Sequence, residues 1–124
     1  SKVGMFRTGG REEVTMTVAA MAEALGLQAV TAVADQEIVG AIATDLISDV
    51  LAHGEPGMVW LTIQTHRNVA AVASTQELAA VIVTGDRPVS RELLALAEQQ
   101  AVTIFVSEDD TYGTSGRLYE LGVH

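Results

Sequence analysis

The chain has 124 residues, 48% of them hydrophobic and 19% charged, with 16 acidic side chains against 7 basic ones and a formal net charge of -9. That length and composition make one globular domain able to bury its own core, not a disordered chain. Cysteine is absent, which excludes disulfides, thiolate metal sites and cysteine nucleophiles, and the acidic balance disfavours nucleic acid and anionic membranes.

Residues 1–13 are polar, contain glycine and show no period, so they read as a flexible N-terminal arm, with a single domain expected over 14–124. Val18, Met21, Ala22 and Leu25 recur at helical spacing, and Gly26 suits a left-handed cap at the end of that helix. Residues 28–33 (QAVTAV) and 38–45 (IVGAIATD) read as strands. Thr44 or Asp45 is positioned to cap a helix over LISDVLAH, which stops at Gly54. GEPG at 54–57 is a turn. MVWLTI at 58–63 is a continuous apolar run, as expected of a strand covered on both faces.

The second half repeats the pattern. A helix is expected over 68–78 with Val69, Val72, Ala73 and Leu78 on one stripe, then a buried strand at 79–85. A helix over 86–100 presents Leu93, Leu94, Ala97 and Gln100 on one side, started near Ser90 or Asp86. Residues 101–107 form a strand, and a weaker helix over 108–122 is anchored by Leu118, Tyr119 and Leu121. Strands alternating with helices at short period predict an α/β fold. The expected form is a three-layer sandwich with a largely parallel sheet of about 4–5 strands, right-handed crossovers and helices on both faces.

In such a sheet ligands sit at the carboxyl ends of the strands, beside helix N-termini. Four strand exits carry polar residues, and one edge should hold them all: Thr44-Asp45, Gln64-Thr65-His66-Arg67-Asn68, Thr84-Gly85-Asp86-Arg87 and Ser107-Glu108-Asp109-Asp110-Thr111. The candidate ligand-binding residues are therefore Thr44, Asp45, Gln64, Thr65, His66, Asn68, Thr84, Asp86, Ser107, Asp110 and Thr111. Helix N-termini attract anions, and His66, Arg67 and Arg87 add charge-assisted donors. The competing reading of Thr44, Asp45, Asn68 and Ser107 is helix capping alone, and of Asp109, Asp110 and Thr111 capping and solubility. His66 fits neither a cap nor a strand, which makes it the first choice for a functional contact.

Enzyme signatures are missing. There is no P-loop, no GxGxxG, no nucleophile elbow and no EF-hand, and His53, His66 and His124 are too scattered for a metal site of known spacing. No catalytic residue, metal or cofactor is assigned. No apolar run approaches the roughly 20 residues that span a bilayer, and residues 1–10 have no signal-peptide h-region, so a cytoplasmic location is expected. The basic residues Arg67, Arg87, Arg91 and Arg117 are spread along the chain, which gives nucleic acid no patch.

Taken in order, VGAIATDLISDVLAH, GMVWLTIQTHRNVAAVAS and AAVIVTGDRPVSRELLALAEQQAVTIFVSEDDTYGTSGRLYELG resemble the DRTGG domain, most of all its short stand-alone members, from about Thr15 to Gly122. The most specific stretches are LISD, WLTIQTHRN and the closing LYELG. FRTGG at 6–10 echoes the family name by coincidence. The resemblance implies a fold similar to the N-terminal domain of HPr kinase/phosphorylase, without the kinase P-loop. It also implies kinship with the regulatory part of some phosphotransacetylases and a place beside CBS domains. It further implies a regulatory or ligand-sensing module that self-associates, and it carries no agreed catalytic residues. The expected function is thus non-catalytic sensing of a small anionic metabolite or nucleotide by a homodimer. The alternatives are a homodimerising interaction module without ligand, and an enzyme using His66 as acid/base with Asp45 or Asp86 as its partner.

Overall fold

The computed structural model describes residues 4–8 and 11–124, with side chains from Thr15 onward. The arm expected over 1–13 lies partly outside the described residues. Within it, β1 (Gly4–Thr8) and β2 (Arg11–Thr15) pair as an antiparallel hairpin, an element that the sequence reading does not contain.

The elements that follow are α1 (Val18–Leu25), β3 (Gln28–Ala29), β4 (Gly40–Ala43), α2 (Ile47–His53), β5 (Met58–Thr62), α3 (Asn68–Thr75), β6 (Ala80–Val83), α4 (Arg91–Gln100), β7 (Ile104–Val106) and α5 (Thr111–Glu120). Five strands make one sheet in the order β3-β7-β6-β5-β4. The four strands β4 to β7 are parallel, and β3 is antiparallel to β7. Chain order and spatial order agree from β4 to β7, so every crossover steps in the same direction. Right-handed crossovers then put all three connecting helices on one face. Packing agrees: Val50, Val69, Val72, Leu93 and Ala97 cluster with Trp60, Val81, Val83 and Ile104. The opposite face would be bare if α1 and α5 did not cover it. Val18, Met21, Leu25 and Leu118 pack there on Val59, Leu61, Ala80, Ile82 and Phe105. The period-two alternation of β5, Val59 and Leu61 to one side and Trp60 to the other, is what makes a three-layer sandwich from one continuous apolar run.

The strand expected over 28–33 is cut to two residues. Val30 N still donates to Ile104 O at 3.0 Å, and beyond it side chains replace the backbone bonds: Ile104 N donates to Thr31 Oγ1 at 2.9 Å and Ala34 N to Thr103 Oγ1 at 3.0 Å. The monotonic strand order also leaves no reversal point between parallel strands, the place where doubly wound sheets open their crevice.

Helix ends follow ordinary capping chemistry in part. Gly26 takes the left-handed conformation after α1, and Thr17, Ser90 and Asp110 cap α1, α4 and α5 with side-chain acceptors. Gly54 ends α2 without positive φ. Its need for glycine is steric, because a Cβ there would lie 2.6 Å from the Val50 carbonyl oxygen. Gln76 Nε2 closes the same end from α3, donating to Gly54 O at 2.9 Å.

Candidate functional site

Because β4, β5, β6 and β7 are parallel, their four polar exits lie along one edge, where the sequence pattern puts them. Three layers of polar chemistry are found there.

The innermost layer is a set of buried hydroxyls. Thr62, Thr84, Ser107 and Thr114 are all buried. Thr84 Oγ1 lies 2.6 Å from Thr111 Oγ1, and Ser107 Oγ lies 2.9 Å from Thr114 Oγ1. Asp109 N donates back to Ser107 Oγ at 3.2 Å. Buried hydroxyls need partners: Thr84 and Ser107 take theirs from the α5 hydroxyls of Thr111 and Thr114, and Thr62 takes its from Asp45. Of the candidates, Thr84, Ser107 and Thr111 therefore fasten α5 to the sheet edge.

The second layer ties the β4 and β5 exits together. Asp45 Oδ1 accepts from Thr62 Oγ1 at 2.9 Å and from Ile63 N at 2.8 Å, and Gln64 Nε2 donates to Asp45 O at 3.0 Å. Trp60 Nε1 donates to Thr44 O at 2.8 Å. Neither Thr44 nor Asp45 caps α2, contrary to the capping expectation. The cap residue is Leu46, which has no side-chain bond, and Asp45 is turned instead onto the neighbouring strand exit. Thr44 Oγ1 accepts from Leu46 N at 3.2 Å in a local turn. Further along α2, His53 Nδ1 lies 2.9 Å from Asp49 Oδ1. Hydrogen bonding from His53, with Thr44 second, holds the Asp49 carboxyl below the usual carboxylate range.

The outer layer is exposed, and its charge is unevenly divided. Around β6 and β7, Gly85 and Asp86 take consecutive positive φ values, 83 and 53, which glycine and aspartate tolerate best. Gly85 N reaches Asp109 O at 2.7 Å and Asp86 N reaches Ser107 O at 2.9 Å. This joins the two exit loops and gathers Asp86, Glu108, Asp109 and Asp110 on one side. Asp110 is the cap of α5, its Oδ1 accepting from Gly113 N at 2.7 Å, as the capping reading has it. Ser107 is not a helix cap. Arg87 folds back to donate to Thr84 O at 2.8 Å, and Arg117 lies 3.6 Å from Asp109.

The β5 side is different. His66, Arg67 and Asn68 are exposed, and among the described residues their side chains make no hydrogen bond or ion pair. Asn68 does not cap α3. The cap residue is Arg67, in helical conformation with no side-chain bond, and the first turn carries no acid. α2 is also uncapped by a side chain, but it carries Asp49 in its first turn. The start of α3 is held from behind, where Ser90 Oγ donates to Thr65 O at 2.8 Å. Among the described residues no carboxylate reaches His66, so the His66–Asp45 or His66–Asp86 pairing that an acid/base role needs is not formed. Among the described residues no group of His, Asp and Glu converges as a metal ligand set, and no helix is long and apolar enough to cross a membrane.

A pocket of about 810 Å³ lies away from this chemistry, between α4 and residues 29–34. A polar pocket of about 270 Å³ borders the β7 exit, lined by Ser107, Glu108, Asp109 and Arg117 with the end of α1. The sequence reading missed the bond from Trp60 to Thr44, the fold-back of Arg87 and the link from Ser90 to Thr65. An indole in a strand and a serine before a helix were the available signals, but neither names its partner.

A five-stranded, mostly parallel sheet between two helical layers, with polar strand exits on one edge, defines an α/β sandwich domain. Residues 11–121 match the DRTGG domain model, and the chain belongs to that family. The match begins at Arg11, four residues before the stretch in which the motifs are legible. Among solved structures, the fold is similar to the CBS and DRTGG domains of the regulatory region of Clostridium perfringens pyrophosphatase, complexed with its activator diadenosine tetraphosphate. The TM-score is 0.62 at 15% identity, over 80% of this chain and 44% of that one. The chain thus spans less than half the length of that structure. No curated protein matches it in sequence.

Proposed function

We propose that this domain is a non-catalytic, ligand-sensing regulatory module that takes a small anionic metabolite or nucleotide at the β5 exit, over the start of α3. The observation that carries the reading is the uncapped, acid-free N-terminus of α3, flanked by exposed His66 and Arg67. Val69 N and Ala70 N already donate to His66 O and Arg67 O at 3.0 and 3.1 Å, so the attraction for an anion comes from the helix's partial positive charge and the exposed His66 and Arg67 side chains. The acidic β6 and β7 exits disfavour one, so the ligand contacts narrow to Gln64, Thr65, His66, Arg67 and Asn68, with Asp45 as support. The similar pyrophosphatase region is complexed with a dinucleotide polyphosphate, which makes nucleotides the first probes to try.

The test is thermal melting with diadenosine tetraphosphate, ATP and acetyl phosphate. A ligand at 100 times its dissociation constant adds about 2.7 kcal/mol, a shift of several degrees for a domain of this size. His66→Ala with Arg67→Ala should abolish that shift and leave the unliganded melting temperature within about a degree, because both side chains are exposed. No stabilisation by any probe, or stabilisation indifferent to the double variant, would sink the reading.

A second reading, self-association, is favoured by the β4 edge. No charged residue lies between Ile38 and Thr44, and Val39, Leu46 and Leu51 are exposed around it, with Val39 at 60% and Leu46 at 66%. Exposed edge strands usually carry charges, proline or bulges against pairing. Among the described residues no strand pairs with the outer side of β4, and two copies pairing along it would cover it. Sedimentation equilibrium should give a dimer mass that Val39→Lys returns to monomer. A monomer mass for the parent chain at high micromolar concentration would refute this.

A further inference from the structure

Three helices cross the α2–α4 face, and the last of them, α4, sits over β6 and β7 through Leu93 and Ala97. Residues 30–34 lie beyond it at the β3 edge, and no helix covers them on that face. The gap is the groove of about 810 Å³, within the roughly 300–1,000 Å³ typical of small-molecule sites. Its walls are mainly apolar, with Val30, Thr31 and Val33 on one side, Val33 42% exposed, and Leu94, Ala97 and Val102 on the other.

One charged residue lines it, Glu98. Glu98 stands in the last turn of α4, a turn with no basic residue, at the end where the helix presents its partial negative charge. Ala101 closes that end in the left-handed conformation, at φ 56, with its N–H on Ala97 O and Glu98 O. Among the described residues no cation or hydrogen-bond donor meets the Glu98 carboxylate. A carboxylate on a helix C-terminus is electrostatically unfavourable by itself, and here it lines a mainly apolar groove.

The geometry points to a binding site for a small apolar molecule bearing one positive charge, with its hydrocarbon part in the groove and its ammonium group at Glu98 and the end of α4. This site is at the opposite end of α4 from the Ser90–Thr65 link, it selects the opposite charge, and it stands whether or not the β5 exit binds an anion.

The test is titration of the 15N-labelled chain with 2-phenylethylammonium, with 2-phenylethanol as its neutral counterpart and with 3-phenylpropionate as an anion. Saturable amide shifts are expected at 30–34 and 97–102. The ammonium should bind about fivefold more tightly than the alcohol, the worth of one exposed ion pair, and the carboxylate least of all. Glu98→Gln should bring the ammonium down to the alcohol. Ala32→Trp, at an exposed position, should fill the groove and abolish the shifts. If Ala32→Trp fails to fold, Glu98→Gln decides by itself. Equal binding of the three probes, shifts scattered over other elements, an ammonium affinity unchanged by Glu98→Gln, or no saturable shift up to about 10 mM would each overturn the assignment.

Discussion

Replacing Trp60 with alanine is expected to cost about 3–5 kcal/mol of stability, the largest single loss in this domain. Trp60 is fully buried at the centre of β5 and packs among Val50, Val69 and Val81. No neighbour is placed to fill the void, because all three belong to elements already pinned to the sheet. Folded domains of this kind hold about 5–15 kcal/mol in all, so the variant gives up about a fifth or more of the total. Trp60→Phe separates the two contributions. It keeps most of the volume and deletes the donor to Thr44 O, so about 1–3 kcal/mol should go with the orphaned carbonyl. Urea unfolding followed by circular dichroism measures both, and an unchanged m-value marks the effect as loss of native packing. A Trp60→Ala loss under about 1 kcal/mol would contradict the packing described.

The second large effect is at Asp45, and it distinguishes a structural carboxylate from a solvent-facing charge. Asp45 is exposed, so its charge contributes little, yet one of its oxygens satisfies the buried Thr62 hydroxyl and the Ile63 amide. Asp45→Ala takes the acceptor from the buried Thr62 hydroxyl and leaves the exposed Ile63 amide to water, and it should cost about 1–3 kcal/mol. Asp45→Asn keeps an acceptor oxygen in place and should cost under about 1 kcal/mol. Hydrogen exchange gives the local readout: the Ile63 and Gln64 amides should lose protection in Asp45→Ala far more than the β6 amides. Equal losses for Ala and Asn would mean that the charge, not the hydrogen bonds, matters. The result bears on sensing, because the segment held by Asp45 leads directly into His66 and the start of α3.

Much of this molecule is readable from local pattern. The apolar run at 58–63, the helical stripe of Leu93 and Ala97, and the turn at 54–57 each depend on residues within one or two turns of each other. The strands and helices fall at those positions, and the parallel order of β4 to β7 follows from their alternation. The family match over 11–121 rests on the same local text. What failed was local reading applied to groups whose partners are distant. Residues 30–33 look like strand, but Thr31 is satisfied by Ile104, 73 residues away. Asn68 looks like a cap, yet the chain is already helical at Arg67 when it leaves β5. The hairpin near the N-terminus carries no periodic signal that marked it as paired.

The sequence by itself determined the α/β class, the places of the helices, and the gathering of polar strand exits on one edge. Those follow from hydrophobic period and chain connectivity, which are properties of neighbours along the chain. Tertiary structure alone decided what each polar residue at that edge does. It turned Asp45 onto Thr62 and Ile63, closed Thr84 and Thr111 on each other, put Asp110 on the α5 amides, and left His66 and Arg67 without side-chain partners beside an uncapped helix. A polar side chain is spent or free according to which donors and acceptors folding brings within about 3 Å of it, and no period in the sequence encodes that distance.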